Sequence, residues 1–531
     1  MLDKSTDTLT RYYDEVPYDS HPFPQSAIEH LATSASLFGL SAPDITHARV
    51  LELGCASGGN LIPFASRFPQ AMAVGIDLSG VQIALARATA ERAGLKNIEF
   101  QALDIVQLDA VFGRFDYIVC HGVYSWVPAP VQEAILKICS ELLTPDGVAY
   151  ISYNTYPGWK AREIVRDAML LRGGARQSPE EKLSFGRGML EFLDRSAPPD
   201  SILKKAIEGT MPIIRNAAPS YLLHEFFEPV NSPCYFNDFL QRAGVHGLTY
   251  LAESESSSMF VRNYAEDVRE PLMHKCGGSQ VVMEQYLDFL VNRTFRQTLL
   301  VNADHADSIR YRLDSARLRA MSYAGRFPAV DGAPLRLDAT EQQCTAPGKR
   351  TVTLRRPVHK AFAELLGSCF PAALDVDAIM DGVASRVQQS LDDVQQPVME
   401  ILEELVILGA IYMRKDRPDV ASRVESHPRV LAANCSLFAS LPHGERPLVA
   451  CNQWHEEVGL SPLESFLLPL CDGTRSHDAL ESEVTVATRA NQLLFSKNGQ
   501  PVDAAEVEAD SIRAELQSAL NGLQQKGLFV S

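Results

Sequence analysis

The residues with the clearest chemical meaning are three carboxylates near the N-terminus, each following a short apolar run. Glu52 lies within L-E-L-G-C-A-S-G-G-N (51 to 60), Asp77 ends A-V-G-I-D, and Asp104 follows A-L. If these runs are parallel strands, their carboxyl ends meet at the edge where such sheets bind ligands. The placement predicts a nucleoside site, with Asp77 on the ribose hydroxyls and Asp104 on the adenine amino group beside Ile105.

The glycine-rich loop after Glu52 is unsuited to a pyrophosphate. A dinucleotide motif G-x-G-x-x-G anchored at Gly54 needs glycine at position 56, which is Ala56, and no phosphate-binding lysine follows. A nucleoside site without phosphates predicts S-adenosylmethionine, whose cationic sulfonium suits the surrounding carboxylates. The residues predicted to contact it here are Glu52, Gly54, Cys55, Ala56, Gly58, Asp77, Leu78, Asp104 and Ile105.

The pattern around these residues alternates short β-branched runs with helical segments, which is typical of a parallel sheet covered by helices on both faces. Strands are predicted at 49–54, 73–77, 97–104, 115–120 and 148–153. Helices are predicted from Gly58 to Phe68, at 81–94 and at 128–143. The fold class is therefore α/β, a Rossmann-like doubly wound sheet.

The pattern of residues after position 160 predicts a helical insertion and two small modules. Residues 235–253 read as helix, glycine stop and strand, which would complete the sheet. Residues 172–188 are predicted as an exposed loop, 281–320 as one or two long helices, and 323–349 as a linker. Two similar units follow, and helices ending in a small strand pair suggest winged-helix-like α+β modules. The expected domains are 1–160, 161–325, 350–422 and 423–531.

These motifs resemble those of a known family. LELGCASGGN, GIDLS (75 to 79) and ALDI (102 to 105) are similar to motifs I, II and III of class I S-adenosylmethionine-dependent methyltransferases. FDYIVCHGVYSWVP (115 to 128) and YLLHEFFEPVNSPCYFNDFL (221 to 240) resemble bacterial members that carry a methyltransferase regulatory domain. That group includes protein lysine methyltransferases acting on outer-membrane proteins, so the resemblance implies a protein substrate.

The loops after the fourth and fifth strands are where such enzymes place acceptor-contacting residues. The fourth-strand loop lacks the [DNS]-P-P-[YFW] motif of enzymes that methylate adenine, cytosine or glutamine amides, which leaves a lysine amine or a small molecule. Aromatic faces there can hold an ammonium group, although packing under the insertion explains the tryptophans equally well. The candidate catalytic residues are Tyr13, Tyr124, Trp126, Asn154, Tyr156 and Trp159.

Further candidates lie beside the cofactor. His121 follows the fourth strand and is either a cofactor contact or a structural histidine. Tyr12, Tyr13 and Tyr18 are expected to fold over the cofactor as a lid, the alternative being an arm docked on the surface. His224, Glu225 and Glu228 in H-E-F-F-E are expected to place one acidic residue near the substrate entrance.

The composition limits the classes of binding partner and the compartments that the sequence is compatible with. The formal net charge of −17 disfavours nucleic acid and favours basic acceptors such as lysine-bearing segments. The ten cysteines include no C-x-x-C pair, so neither disulfides nor a metal site is expected. Without a signal-peptide pattern or an apolar run long enough for a membrane span, a cytoplasmic protein is expected.

The sequence thus predicts a methyltransferase that acts on protein lysines. Two alternatives stay open: a small-molecule or natural-product methyltransferase, and a cofactor-sensing binding protein without catalysis. A homodimer is compatible with the sequence.

Overall fold

The computed structural model describes residues 20–176, 178–497, 500–501 and 507–531. Its strands are β1 Arg49–Leu53, β2 Met72–Asp77, β3 Ile98–Ala102, β4 Phe115–Cys120, β5 Leu143–Asn154, β6 Leu248–Glu253, β7 Phe295–Asn302, β8 Ser322–Ala324, β9 Gln342–Ala346, β10 Arg350–Leu354, β11 Leu374–Asp375, β12 Tyr412–Arg414, β13 Val449–Cys451, β14 Glu457–Gly459, β15 Ser496–Lys497 and β16 Gln500–Pro501.

The helices precede, connect and follow these strands. They are α1 Ile28–Leu37, α2 Leu61–Arg67, α3 Gly80–Arg92, α4 Ala129–Leu142, α5 Trp159–Gly173, α6 Pro179–Ser196, α7 Ile202–Asn216, α8 Pro219–Phe227, α9 Phe236–Val245, α10 Glu266–Cys276, α11 Gln280–Val291, α12 Ser315–Arg319, α13 Pro357–Cys369, α14 Val376–Val387, α15 Leu391–Leu408, α16 Ala432–Ala439, α17 Pro462–Leu467, α18 His477–Arg489 and α19 Ala509–Gln525.

The main sheet has seven strands in the order β3-β2-β1-β4-β5-β7-β6. Strands β1 to β5 pair in parallel, and β7 runs antiparallel to both β5 and β6. Helices on both faces bury apolar side chains such as Val50 and Ile118 completely. The order reverses between β1 and β4, and a doubly wound sheet binds ligands at that point. The predicted Rossmann-like sheet is confirmed.

Three local predictions are wrong. Residues 281–320 contain β7, because F-R-Q-T-L-L-V-N is inserted between β5 and β6 and buries most of its side chains. The supposed loop at 172–188 contains the start of α6, which begins at Pro179 after a capping Ser178. The supposed linker at 323–349 contains β8 and β9, which pair with later strands.

The insertion α5 to α8 forms its own apolar cluster, in which Val165, Leu190, Ile207 and Phe226 are buried. It joins β5 to the segment that leads into α9 and β6. A chain passing from β5 through these helices must return to the carboxyl end of the sheet. The insertion therefore lies over the ligand-binding edge, as the cavity described below shows.

The C-terminal part contains two small modules. The first joins α13, α14 and α15 to the antiparallel sheet β11-β8-β12, and its apolar core is continuous with one face of the main sheet. The second contains α16 to α19 and the hairpins β13–β14 and β15–β16 around a separate core. The domain boundaries predicted from the sequence stay predictions. No helix in the described ranges has the length and apolar character needed to cross a membrane.

Candidate active site

The loop after β1 adopts a conformation that explains its composition. Gly54 and Gly58 have φ of +76° and +81°, a region that L side chains rarely enter. Ala56 also has a positive φ of +46°, at the position where the dinucleotide motif carries glycine. The amides of Gly54 and Cys55 both donate to the carbonyl of Ile76. The loop is thereby held beside the end of β2, with its backbone facing the ligand edge.

Asp77 fixes the same loop from the end of β2. Its Oδ2 accepts a hydrogen bond from the Ala56 amide at 2.9 Å, and its Oδ1 accepts one from the Ser79 amide at 2.9 Å. Each carboxylate oxygen has further acceptor capacity. Asp77 can therefore hold the loop and accept hydrogen bonds from a ribose together.

Glu52 is a buried carboxylate, and one of its two oxygens accepts a hydrogen bond within the protein. Asn60 Nδ2 donates to Glu52 Oε1 at 2.9 Å, whereas Oε2 has no hydrogen-bond partner within the described residues. Burial raises the pKa of Glu52 to about 7, the Asn60 bond opposes this, and the nearby Asp77 charge adds to it. A buried carboxylate oxygen at a ligand cavity is a fitting acceptor for the ammonium of an amino-acid moiety.

Asp104 lies two residues after β3 among apolar neighbours. Its Oδ1 accepts from the Val106 amide at 3.2 Å, which caps a short helical turn. Leu103, Ile105 and Val106 line the cavity beside it. A flat adenine ring between such side chains would meet a carboxylate at its amino edge. This geometry fits S-adenosylmethionine as the sequence suggests.

One cavity of about 990 Å³ connects this edge to the insertion. Its second end is lined by residues from the loops after β4 and β5, from α5 and α8, and from the start of β7. These residues are Trp126, Asn154, Arg162, Ser220, Tyr221, His224, Glu225, Thr294 and Phe295. The cavity is large enough for a nucleoside ligand and an incoming side chain.

The second end contains a paired carboxylate. Arg162 Nη1 donates to Glu225 Oε1 at 3.1 Å, and burial raises the pKa of Glu225 while Arg162 opposes the rise. His224 Nδ1 lies 2.9 Å from Glu228 Oε1, and Glu228 is fully buried. Burial raises the pKa of the neighbouring Tyr221 to about 12, so this phenol stays neutral.

The structure brings most predicted residues to the cavity but not all. Among the described residues, the lining includes Glu52, Gly54, Cys55, Ala56, Asp77, Leu78, Asp104, Ile105, His121, Trp126 and Asn154. Gly58, Tyr124, Tyr156 and Trp159 are absent from that lining. Tyr12, Tyr13 and Tyr18 lie outside the described residues. The individual roles of all these side chains stay predictions.

The excluded aromatic residues have other contacts. Tyr124 is fully buried, with its ring edge-on to Phe239 at 5.3 Å, because its side chain turns into the core below the loop. Tyr156 donates to Glu163 Oε1 at 2.5 Å. Trp159 is 1% exposed and packs edge-on against Trp126 at 6.2 Å. The packing explanation therefore describes Trp159, while Trp126 reaches the cavity.

His121 has a structural environment as well as a place in the lining. Its Nδ1 lies 2.9 Å from the Tyr150 hydroxyl, and its ring lies 4.1 Å from that of Phe23. Burial lowers its pKa to about 4, so the imidazole is neutral at physiological pH. A neutral ring beside a cationic ligand avoids charge repulsion.

Sequence reasoning missed several lining residues. Asn60 ends the quoted motif L-E-L-G-C-A-S-G-G-N and is the N-cap residue of α2, but it is not among the predicted contacts; Phe295 belongs to β7, for which the sequence predicts helix. Arg162 and Tyr221 come from the insertion, where helical periodicity alone gives no sign of which face meets the sheet. The signal that could have found Arg162 is its possible pairing with the acidic H-E-F-F-E segment.

The sheet order, the loop without a phosphate apparatus and the strand-end carboxylates together define a class I S-adenosylmethionine-dependent methyltransferase. Three family models match the chain. They are described as "Methyltransferase domain" over residues 50–147, "Predicted methyltransferase regulatory domain" over 218–302, and "PKMT, C-terminal winged helix domain" over 438–528.

Relatives and solved structures agree with this class. "Uncharacterized protein RP789" of Rickettsia prowazekii (strain Madrid E) is 32% identical over 526 residues, covering 97% of this chain and 92% of the relative. RP028 of the same strain is 39% identical over 236 residues, covering 44% and 93%. The structure of PKMT2 from Rickettsia typhi in complex with AdoHcy is 25% identical with a TM-score of 0.85, covering 97% of this chain and 100% of that one.

The chain therefore belongs to the family of bacterial protein lysine methyltransferases that combine a methyltransferase domain, a regulatory domain and a C-terminal winged helix. The expected cofactor, S-adenosylmethionine, is confirmed, and so is the winged-helix fold of the C-terminal module, which contains residues 438–528; a winged helix in the preceding module stays a prediction.

Proposed function

We propose that the protein transfers methyl groups from S-adenosylmethionine to the side-chain amine of lysines in a protein substrate. The observation that carries the proposal is the acidic, aromatic second end of the cavity, which is continuous with the cofactor end. A lysine is long and flexible enough to enter such a cavity while its backbone stays outside. The family membership supports the same acceptor.

The residues at the strand ends would hold the cofactor. We assign Asp77 to the ribose, Asp104 to adenine, and Oε2 of Glu52, which has no hydrogen-bond partner among the described residues, to the ammonium of the methionine moiety. Bound S-adenosylmethionine supplies a methyl group carried on a cationic sulfonium. The protein has to bring the acceptor nitrogen into line with that methyl group and keep the nitrogen lone pair free.

Glu225 is the residue that we propose keeps the lone pair of the acceptor nitrogen free. An ammonium entering the cavity would meet this partly buried carboxylate, which Arg162 holds in place at 3.1 Å. Because burial raises the pKa of Glu225, its carboxylate is a better proton acceptor than an exposed one. Glu225 would thus orient the lysine and take its proton before methyl transfer.

Trp126 and Tyr221 flank the same end and would contact the lysine side chain. Both line the cavity, and Tyr221 is 45% exposed, which places it at the opening. An aromatic face within about 6 Å of an ammonium contributes roughly 0.5 to 2 kcal/mol. These rings would guide the methylene chain and retain the cationic product.

The target and the setting are finer parts of the proposal. The resemblance to enzymes that act on outer-membrane proteins supports such a protein as the substrate, methylated in the cytoplasm before export. The ten unpaired cysteines are compatible with a reducing compartment. A homodimer is a further expectation, and light scattering of the purified protein tests it.

Glu225→Gln tests the acceptor site. We expect the rate of methylation of an outer-membrane protein fraction to fall by about 100-fold or more, because one general base contributes roughly that much. The affinity for S-adenosylhomocysteine in calorimetry should stay unchanged. Glu208→Gln is the matched control, since Glu208 lies on α7 of the same insertion with its side chain 60% exposed. Equal methylation rates for Glu225→Gln and Glu208→Gln would contradict the role of Glu225.

A further inference from the structure

A buried series of hydrogen bonds links the second C-terminal module, the winged-helix module that contains α16 to α19, to the Glu52 carboxylate at the cofactor site. It begins at Arg67 on α2, passes through His455 in the loop between β13 and β14, and continues through Asn60 to Glu52. His455 and Asn60 are 395 positions apart in the chain, yet His455 Nε2 and Asn60 Oδ1 are 2.7 Å apart. Glu52 and Asn60 both line the cavity, so the chain ends at the cofactor site.

The partners determine the direction of every bond in the chain. The backbone amide of Phe23 donates to Asn60 Oδ1 at 3.2 Å, so this atom is the amide oxygen and Nδ2 faces Glu52. Since Oδ1 only accepts, His455 Nε2 must carry the hydrogen. Arg67 Nη2 lies 2.7 Å from His455 Nδ1, and a guanidinium only donates, so Nδ1 is unprotonated.

The imidazole therefore exists as one neutral tautomer. Burial together with the nearby Arg67 and Arg414 charges lowers the pKa of His455 well below its usual value, in agreement with this assignment. Donation runs in a single direction, from a guanidinium through the imidazole and the amide to a carboxylate. Such an arrangement fixes the side-chain orientation of Asn60, and through it the Glu52 carboxylate, whose Oε2 has no hydrogen-bond partner among the described residues.

The loop that carries His455 is built to hold it in place. His455 is 1% exposed and has a φ of +63°, a left-handed conformation that few non-glycine residues adopt, histidine, asparagine and aspartate being the most frequent among them. The side chain of Asn452 accepts from the amides of Trp454 and Glu456, both at 2.9 Å. Trp454 Nε1 donates to the carbonyl of Pro371 at 2.9 Å, which ties the loop to the first C-terminal module. Left-handed residues other than glycine that the surrounding structure holds in place cluster at functional positions.

Two further contacts join the same surfaces. Arg67 Nη1 also donates to Cys451 Sγ at the end of β13 at 3.9 Å, and Glu29 on α1 holds Arg67 in place at 2.8 Å. His21, from a segment that lines the cavity, lies 2.7 Å from Glu457 at the start of β14. The second module is thus in contact with the cofactor loop on one side and with the cavity wall on the other.

We propose that the C-terminal winged-helix module forms part of the cofactor site, with His455 as a positioning residue that orients Asn60 and thereby Glu52. His455 does not touch the cavity in this arrangement and acts through its neighbour. Binding of the cofactor and the placement of the C-terminal module are then thermodynamically coupled, because each favours the same orientation of Asn60. A partner that moves this module would change cofactor affinity.

Two substitutions at His455 separate this role from a structural one. His455→Asn retains an acceptor near Nδ1 for Arg67 but removes the donor towards Asn60. His455→Gln retains a donor near Nε2 for Asn60 but removes the acceptor for Arg67. Each variant therefore loses one hydrogen bond of the chain. At a φ of +63° asparagine is the better tolerated of the two, so a purely structural role predicts that His455→Asn is the milder change.

Calorimetric titration of the full-length protein with S-adenosylhomocysteine is the test, with thermal unfolding measured in parallel. We expect His455→Asn to lower the affinity by about tenfold, the value of one hydrogen bond to an orienting group, and His455→Gln to stay within about threefold of the wild type. His477→Gln is the matched control, because this histidine of the same module bonds only to the Glu425 carbonyl in the described residues.

The opposite order, with His455→Gln binding more weakly than His455→Asn, would overturn the proposal. Affinities that follow the unfolding temperatures of the variants would do so as well. The measurement uses cofactor binding alone and is independent of which acceptor the enzyme methylates, so its failure would leave the lysine proposal intact.

Discussion

Gly54→Ala probes the geometry of the cofactor loop most sharply. A Cβ at position 54 would lie 2.4 Å from Cγ2 of Val123, and the φ of Gly54 is +76°. The left-handed backbone costs a non-glycine residue roughly 1 to 2 kcal/mol, and overpacking costs roughly 1 to 3 kcal/mol more. The loop has to move to avoid the overlap, and in doing so it moves the amides that Asp77 holds.

We expect Gly54→Ala to lower the free energy of unfolding by about 2 to 5 kcal/mol, the sum of these two costs, and to weaken S-adenosylhomocysteine binding by at least about tenfold. Denaturant titration and calorimetry measure the two effects. Gly80→Ala is the control, since a Cβ at position 80, the first residue of α3, has no heavy atom within 4 Å.

A double variant separates the two contributions. Adding Val123→Ala to Gly54→Ala removes the overlapping methyl group and should restore about 1 to 3 kcal/mol of the lost stability, leaving the backbone strain. If Gly54→Ala behaved like Gly80→Ala in both measurements, the loop geometry and the reasoning from it would be refuted.

Three other predictions concern charged side chains. Asp77→Ala removes the acceptor of the Ala56 and Ser79 amides and should abolish measurable cofactor binding in a protein that remains folded by circular dichroism; unchanged calorimetric affinity would contradict the ribose assignment. Glu52 has a pKa raised to about 7 in the folded state, so the stability associated with its protonated form is complete below about pH 4.5 and is lost as the pH rises through 7. The unfolding free energy of Glu52→Gln minus that of the wild type should therefore increase by about 2 to 3 kcal/mol from pH 5 to pH 8. A difference that does not change with pH would count against the raised pKa of Glu52. Arg296 pairs with Glu253, Glu284 and Asp288 in a fully buried cluster, so Arg296→Met should cost about 3 to 5 kcal/mol in denaturant titration, whereas exposed Arg513→Met should cost less than about 1.

The sequence was sufficient for the part of the fold that local pattern controls. Strands β1 to β5 are short apolar runs bounded by turns, and the carboxylates at their ends follow a spacing that a parallel sheet turns into proximity. The cofactor could be inferred for the same reason, since Ala56 and the absence of a phosphate-binding lysine are visible in the sequence. Local pattern and tertiary position agree in this region.

The sequence was insufficient where tertiary contacts determine the secondary structure of a segment or the direction of a side chain. The sequence predicts helix for the segment that contains β7. A short, mostly apolar run is compatible with either a helix or a strand until its partners β5 and β6 are known. Tyr124 and Trp126 are two positions apart in one loop, yet one enters the core and the other the cavity. His455 carries no motif, and its role depends on a contact across 395 positions.

The acceptor assignment is tested most directly by locating the transferred methyl group. The purified protein would be incubated with isotope-labelled S-adenosylmethionine and an outer-membrane protein fraction, and the products analysed by mass spectrometry of peptides. We predict that the label appears on lysine side-chain nitrogens and disappears with Asp77→Ala. Label confined to the low-mass fraction, or on residues other than lysine, would contradict the proposed function.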